Sequence, residues 1–177
     1  MKLFEFTLKF ALPESTQNPS RYVDALGESG CDDAIIGIGQ KGRIALQFSR
    51  EADNAMVAVT SAVHAVKQVI PEARLIESSP DLVGLSDIAQ LLNFSRQYLR
   101  KLEITKPNFP NPVHSGKISM WHLSSFLRWY ETEQKKPVDE TIKEIATANM
   151  QVNLAKELAQ FDPNERIQIL EMVTSST

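Results

Sequence analysis

The first 79 residues alternate between two hydrophobic periods, and this order constrains the fold more than any other feature of the chain. Residues 2–12, KLFEFTLKFAL, carry large apolar side chains in a largely alternating pattern, which predicts a strand with one buried face. These side chains are Leu3, Phe4, Phe6, Leu8 and Phe10. Residues 20–29 then show a helical period, which begins after Asn18-Pro19 and ends at Gly30.

Residues 31–50 predict a β-hairpin, because apolar residues precede the turn at residues 39–42 and alternate after it. They are Ile35, Ile36 and Ile38 before the turn, and Ile44, Leu46 and Phe48 after it. Residues 53–70 predict a longer helix with Asp53 as its cap and Pro71 at its end, and residues 73–78 predict a last strand. The order β-α-β-β-α-β over residues 1–79 is that of a ferredoxin-like sandwich.

Residues 1–79 contain no convergent set of catalytic groups. His64 lies in an apolar helix and fits a structural or surface histidine better than a ligand. Asp32 and Asp33 are neighbours in a predicted strand and would point to opposite faces, so they do not form a metal pair. We therefore expect no enzyme, and a front domain that serves dimerisation or sensing, between which the sequence does not choose.

Charge is unevenly distributed along the 177 residues. The chain has a net charge of −3, yet residues 80–136 carry 8 basic and 5 acidic side chains, whereas residues 137–177 carry 3 basic and 7 acidic ones. A separate basic module is the asymmetry expected of a nucleic-acid-binding protein.

The location of the protein is predicted from what its sequence lacks. No apolar run approaches the roughly 20 residues that cross a bilayer, and Glu5 and Lys9 interrupt any signal peptide. The single cysteine, Cys31, excludes an internal disulfide and a cysteine-rich zinc site. We expect a cytoplasmic protein without a membrane anchor.

Residues 84–103, GLSDIAQLLNFSRQYLRKLE, predict two short helices joined by a tight corner. Ser86 is a candidate cap for the first helix, and Asn93 tolerates the left-handed conformation that ends it. Phe94 fills the corner and Ser95 caps the second helix, whose buried side holds Leu99 and Leu102; the residues predicted to face outward are Arg96, Gln97, Tyr98, Arg100 and Lys101. Two helices joined in this way form a helix-turn-helix, which presents its second helix to the DNA major groove. The alternative is a helical hairpin with a solvated basic face.

The corner sequence, followed by FPNPVHSGKISMWHLSSFLRWY, resembles the winged helix-turn-helix of the excisionase, AlpA and MerR superfamily over about residues 82–131. SRQYLRKLE is similar to the start of a MerR-like recognition helix, and FPNPV followed by Trp121 resembles an AlpA-like wing. The resemblance implies that Ser95, Arg96, Gln97 and Tyr98 lie at the DNA-contacting end of the helix and that Arg100 binds a phosphate. It also implies a wing tip formed by His114, Ser115, Gly116 and Lys117. Two positions depart from the pattern, because Asn93 replaces the usual turn glycine and Ile118 stands where MerR proteins have arginine.

The histidines at positions 114 and 122 do not predict a metal site. The metal sensors among MerR proteins use cysteines, and Cys31 lies in another domain, so we expect neither metal nor cofactor. In WHLSSFLRWY, Leu123, Phe126, Leu127 and Tyr130 follow a helical period that is typical of core packing rather than of a surface for nucleobases.

Residues 137–177 predict an acidic helical tail with apolar faces, after a front domain at residues 1–79 and a DNA-binding domain at residues 82–136. The α+β chain is therefore expected to be a sequence-specific double-stranded DNA-binding protein, a homodimeric transcriptional regulator from a bacterium or mobile element. The alternative is an antitoxin-like interaction protein whose tail binds a partner protein. An enzyme on the ferredoxin-like fold is a third hypothesis, which lacks the necessary catalytic groups.

Overall fold

The structure, a computed structural model, describes residues 1–175 and shows an α+β protein. Its strands are β1 (Lys2–Ala11), β2 (Ala34–Gly37), β3 (Arg43–Ala52), β4 (Arg74–Ser79), β5 (Leu82–Val83) and β6 (Trp121–His122). Its helices are α1 (Val23–Leu26), α2 (Ala55–Val69), α3 (Leu85–Leu91), α4 (Arg96–Thr105), α5 (Leu123–Gln134), α6 (Glu140–Leu158) and α7 (Pro163–Thr174). The predicted α+β class is confirmed.

Four strands form an antiparallel sheet in the order β2-β3-β1-β4. The register places Phe6 opposite Phe48 and Leu8 opposite Leu46, and the two phenyl rings stack with centroids 5.1 Å apart. Alternate side chains of β1 and β3 therefore fill one core, as the strand periods predict. The other face of β1 is polar and carries Glu5 and Lys9, so this face of the sheet lies open.

Local details differ from the sequence prediction at three apolar residues and one cap. Leu3 and Ile35 lie on the open face and are 52% and 74% exposed, and Ile38 lies beyond the end of β2. Helix α2 is capped by Asn54, whose side chain accepts the N–H of Val57, rather than by Asp53. Asp and Asn are equally good caps, so sequence alone does not separate adjacent candidates.

Helix α6 belongs to both hydrophobic cores of the protein. Ile145 and Ala148 pack against the sheet and α2, whereas Ala146 and the half-buried Ile142 pack against the core between α3, α4 and α5. Burying a side chain such as Ile145 stabilises a fold by about 1.5–3 kcal/mol. The C-terminal segment, predicted as a tail, thus begins with a helix that joins the two cores.

A buried polar cluster lies where the sheet, α6 and β6 meet. The carboxylate of Asp81, 1% exposed, accepts hydrogen bonds from Asn153 Nδ2 at 2.8 Å and lies 2.7 Å from His122 Nδ1. Asn153 also bonds both backbone groups of Ser78, and Asn149 accepts the Ser78 hydroxyl at 2.6 Å. Buried polar groups are costly unless they are hydrogen-bonded, so this cluster favours one orientation of α6.

Helix α7 differs from the other helices because none of its residues is buried. Its start is capped by Asp162, which accepts the N–H of Asn164, and Pro163 is the first helical residue. Within residues 1–175, no helix has the length and apolar character that a membrane span requires.

Candidate nucleic-acid interface

Helix α3 is capped at Gly84 and not at Ser86. The N–H of Gly84 donates to Asp87 Oδ2 at 2.8 Å, which is the returning carboxylate of a helix start. Ser86 lies inside the first turn and caps nothing, so this prediction was wrong.

The corner after α3 has the conformation that its sequence predicts. Asn93 has φ = 54°, in the left-handed region, and the following N–H, of Phe94, donates to the carbonyl of Ala89 at 2.8 Å. The ring of Phe94 packs 5.3 Å from that of Tyr130. The chain therefore turns sharply between α3 and α4, over an apolar contact.

Helix α4 is capped as predicted and presents polar side chains to solvent. Ser95 Oγ accepts the N–H of Tyr98 at 3.1 Å, and Leu99 and Leu102 are 0% and 6% exposed in the core beneath. Four exposed polar residues form two rows on the helix surface, which are Arg96 with Arg100 and Gln97 with Lys101, and the last turn also exposes Ile104.

The row of Arg96 and Arg100 borders a concave surface that also includes Lys117, from the loop before β6. This surface, here called the basic concavity, has a volume of about 510 Å³ between the start of α3, α4 and that loop, and the carboxylates of Asp87 and Glu103 lie on it beside the three cations. Arginine and lysine side chains that converge from two elements form a surface suited to a phosphate backbone.

Within the concavity, Arg100 Nη1 lies 2.6 Å from Glu103 Oε2. The Arg100 side chain is 64% exposed, so the ion pair contributes little to stability. A phosphate can therefore replace Glu103 as the partner of Arg100 at low cost.

The loop between α4 and β6 forms a small hairpin at its tip. His114 and Met120 make an antiparallel bridge, in which the Met120 N–H donates to the His114 carbonyl at 3.0 Å. Ser115, Gly116 and Lys117 lie between them and are exposed.

The base of this loop is anchored by aromatic side chains. Trp121 is 2% exposed, and its Nε1 donates to the carbonyl of Pro110 at 2.9 Å. The ring of Phe109 packs edge-on against Trp121, at 5.9 Å, and against Trp129, at 4.8 Å. The apolar stripe of α5 is core, as predicted, with Leu123, Phe126, Leu127 and Tyr130 all buried.

Tyr98 is the predicted surface residue that the structure places differently. Its ring packs edge-on against Phe94 at 5.3 Å, with Lys136 Nζ 5.8 Å from the ring centre, and it is only half-exposed. Burial, together with the adjacent Tyr98 hydroxyl, raises the pKa of Tyr130 to about 12. Tyr98 therefore packs at the corner, beside Phe94 and Tyr130, and only part of its side chain faces solvent.

The two histidines considered as metal ligands, His114 and His122, lie in different surroundings. His114 is exposed on the loop, whereas His122 pairs with the buried Asp81. Among residues 1–175, no group of three or more His, Cys, Asp or Glu side chains is arranged to hold a metal ion. Beside the four-stranded sheet, Asp33 forms an ion pair with Arg50 at 2.7 Å, and on α2 His64 is exposed beside Gln68.

Sequence reasoning missed Glu103 as the partner of Arg100. A spacing of three residues on a predicted helix would have indicated the pair. Scans against protein-family models, curated proteins and solved structures found no match to this chain.

Proposed function

We propose that this protein binds double-stranded DNA in a sequence-specific manner, as a homodimeric cytoplasmic transcriptional regulator. Helix α4 would enter the major groove, and the loop at residues 114–117 would lie beside it against the backbone or the minor groove. No catalytic role is part of the proposal.

We also propose the finer fold assignment. The sheet order β2-β3-β1-β4 and the element order along residues 2–79 support a ferredoxin-like front domain. The α3–α4 corner, the hairpin loop and the short β5–β6 pair support a winged helix-turn-helix of the excisionase, AlpA and MerR kind.

The observation that carries the proposal is the convergence of Arg96, Arg100 and Lys117 on one exposed surface. The first two lie on the helix that the corner presents, and the third comes from the hairpin loop. Gln97 and Lys101 extend the polar surface of the same helix. Gln can pair with adenine in the major groove, while the cations bind phosphates without direct sequence information.

The test begins with duplexes selected from a random DNA library by the purified protein, followed by titrations at several salt concentrations. Gln97→Ala should relax the preference at one position per half-site, by about 1–3 kcal/mol, with little change in salt dependence. Arg100→Ala should weaken specific and non-specific binding alike and flatten the salt slope by about one per protomer.

Arg128→Ala is the matched control, because Arg128 is an exposed arginine of α5 outside the basic concavity. It should bind like the unchanged protein. If Gln97→Ala and Arg100→Ala also do so, α4 does not contact DNA and the proposal fails.

One observation favours a second function, that of an interaction protein resembling an antitoxin. Exposed aliphatic side chains cover much of α7, namely Ile167, Ile169, Leu170, Met172 and Val173. A helix with exposed apolar side chains can bind an apolar groove of a partner. This function predicts that a defined partner protein binds in the absence of DNA and that Ile167→Lys with Leu170→Lys abolishes the complex.

A further inference from the structure

Helix α7 carries a dense group of exposed apolar side chains, and none of its residues is buried. The group consists of Ile167, Ile169, Leu170, Met172 and Val173, which are between 41% and 72% exposed. At 3.6 residues per turn, these positions spread over more than half of the helix circumference. A helix that packs on one flat face needs an apolar stripe of only about 100°. The side chains of α7 therefore fit a groove, which contacts a helix on more than one side.

The connection between α6 and α7 holds α7 away from its own chain. Residues 159–162 alone separate the two helices. The N–H of Phe161 donates to the carbonyl of Leu158 at 3.3 Å, and the carboxylate of Asp162 accepts the N–H of Asn164 at 2.9 Å. A rotation of α7 onto its own chain would change the backbone dihedral angles of this connection and break these bonds. The apolar side chains of α7 are thus presented to a second molecule.

A groove on the surface of the same protein begins beside the start of α7. It lies between α2, β4 and the end of α6, has a volume of about 790 Å³, and includes Ala159 and Gln160 of the connection. Its apolar lining consists of half-buried side chains from all three elements, namely Val63, Leu75, Ile76 and Val152. This surface is called the terminal groove below.

Three cations and two carboxylates also line the terminal groove, namely Lys67, Arg74, Lys156, Glu72 and Glu157. Lys156 and Glu157 form an ion pair with each other. Within residues 1–175, no ion pair involves Lys67, Arg74 or Glu72. The groove therefore offers two cations and one carboxylate to whatever binds there.

Helix α7 carries the opposite set of charges. Its ionised side chains are Glu165, Arg166 and Glu171, and in the described part of the chain none of them forms an ion pair. Two carboxylates and one cation on the helix thus match two cations and one carboxylate in the groove. Because these charges are equal in number and opposite in sign, the terminal groove fits α7 in charge as well as in apolar character.

We propose that α7 of one protomer lies in the terminal groove of a second copy of this chain, and that the exchange is reciprocal. Each α7 begins beside the groove of its own protomer, so one two-fold axis near residues 159–162 brings both helices into the partner's groove. Each helix then buries its apolar side chains against the apolar lining of the second copy. The inference rests on the homodimer of the proposed function and specifies its interface, but it does not depend on DNA binding.

Sedimentation of the full chain, without DNA, tests the exchange through paired charge reversals. Lys67→Glu with Arg74→Glu, in the groove, should raise the dimer dissociation constant by about tenfold, because like charges then face each other. Glu165→Lys with Glu171→Lys, on α7, should have the same effect. A chain with all four changes should regain most of the lost affinity, because opposite charges face each other again. Circular dichroism should show an unchanged fold, since all four positions are exposed.

Lys41→Glu with Arg43→Glu is the matched control, because both residues are exposed cations outside the terminal groove. It should leave the dimer unchanged. The proposal is overturned if the unchanged chain is a monomer at micromolar concentration, which would also remove the homodimer from the proposed function and leave α7 for another protein. A dimer that resists either groove or α7 reversal, or is not restored by the four changes together, overturns the exchange alone. A failure of DNA binding affects none of these outcomes.

Discussion

At the scale of single residues, the ion pair between Arg100 and Glu103 bears on how readily the Arg100 guanidinium would bind a DNA phosphate. The ion pair with Glu103 holds the side chain over α4 when DNA is absent. Under the proposed function, the same carboxylate would also repel the DNA backbone, so we expect Glu103 to oppose binding in two ways.

Glu103→Gln should therefore raise DNA affinity by about fivefold at low salt, because it removes a negative charge and releases Arg100. The gain should fall as salt increases. Fluorescence anisotropy with specific and scrambled duplexes would measure both effects. Glu133→Gln, an exposed acid of α5, is the control and should leave affinity unchanged. A Glu103 variant that binds less tightly than the unchanged protein would contradict this role.

At the scale of elements, the corner depends on the residue that ends α3. Asn93 at φ = 54° is compatible with glycine but strained for alanine. Asn93→Ala should lower the free energy of unfolding by about 1 kcal/mol, whereas Asn93→Gly should change it by less than about 0.5 kcal/mol. Urea denaturation measures both. Equal losses for the two variants would show that the side chain, and not the backbone conformation, matters at this position.

The sequence predicts those features of α3 and α4 that are determined by residues close together in the chain. Asn93 and Ser95 were assigned correctly because caps act within a few residues of the chain. The orientation of Tyr98 was not predictable from α4 alone, since it is set by Phe94 and by Tyr130 of α5.

The position of α6 was likewise not predictable from its own residues, because it is set by two cores whose residues lie mostly far from it in the sequence. Its period predicted a helix, but the apolar residues lie on more than one side, with Ile145 in one core and Ala146 in the other. The reason for this distribution is visible only in the folded protein, where α6 contacts both cores. The division into domains at residues 79–82 and 136–137, and the DNA contacts, stay predictions.

At the scale of the whole molecule, the polar cluster at Asp81 joins the four-stranded sheet, through α6, to the part of the protein built from α3, α4 and α5. Asn153→Ala would leave both backbone groups of Ser78 and one oxygen of Asp81 without this partner. We expect a loss of about 3 kcal/mol in the free energy of unfolding, because each buried group without a partner costs about 1–3 kcal/mol. Chemical denaturation followed by tryptophan fluorescence and circular dichroism would test this.

Gln151→Ala, at an exposed position of the same helix, is the control for the Asn153 variant and should be nearly neutral. The two probes should report one shared transition for Asn153→Ala, since α6 contributes to both cores. A variant as stable as the Gln151 control would show that water replaces the lost hydrogen bonds.

Helix α7 contributes no buried residue, so its removal should affect assembly and not folding. A chain ending at Gln160 should unfold within about 0.5 kcal/mol of the full-length protein. Sedimentation should show a monomer, whereas the full-length chain is expected to be a dimer through α7. An unchanged dimer would place the interface elsewhere, with the open face of the sheet as the next candidate.

Helix α6 also bears on the order of folding during synthesis. Ile145 and Ala148 of α6 belong to one core and Ala146 to the other, so a chain that ends at Lys136 lacks part of both. We therefore expect both cores to remain partly exposed to water and to chaperones until α6 has left the ribosome. A ribosome that stalls before α6 should then yield a chain with two incomplete cores.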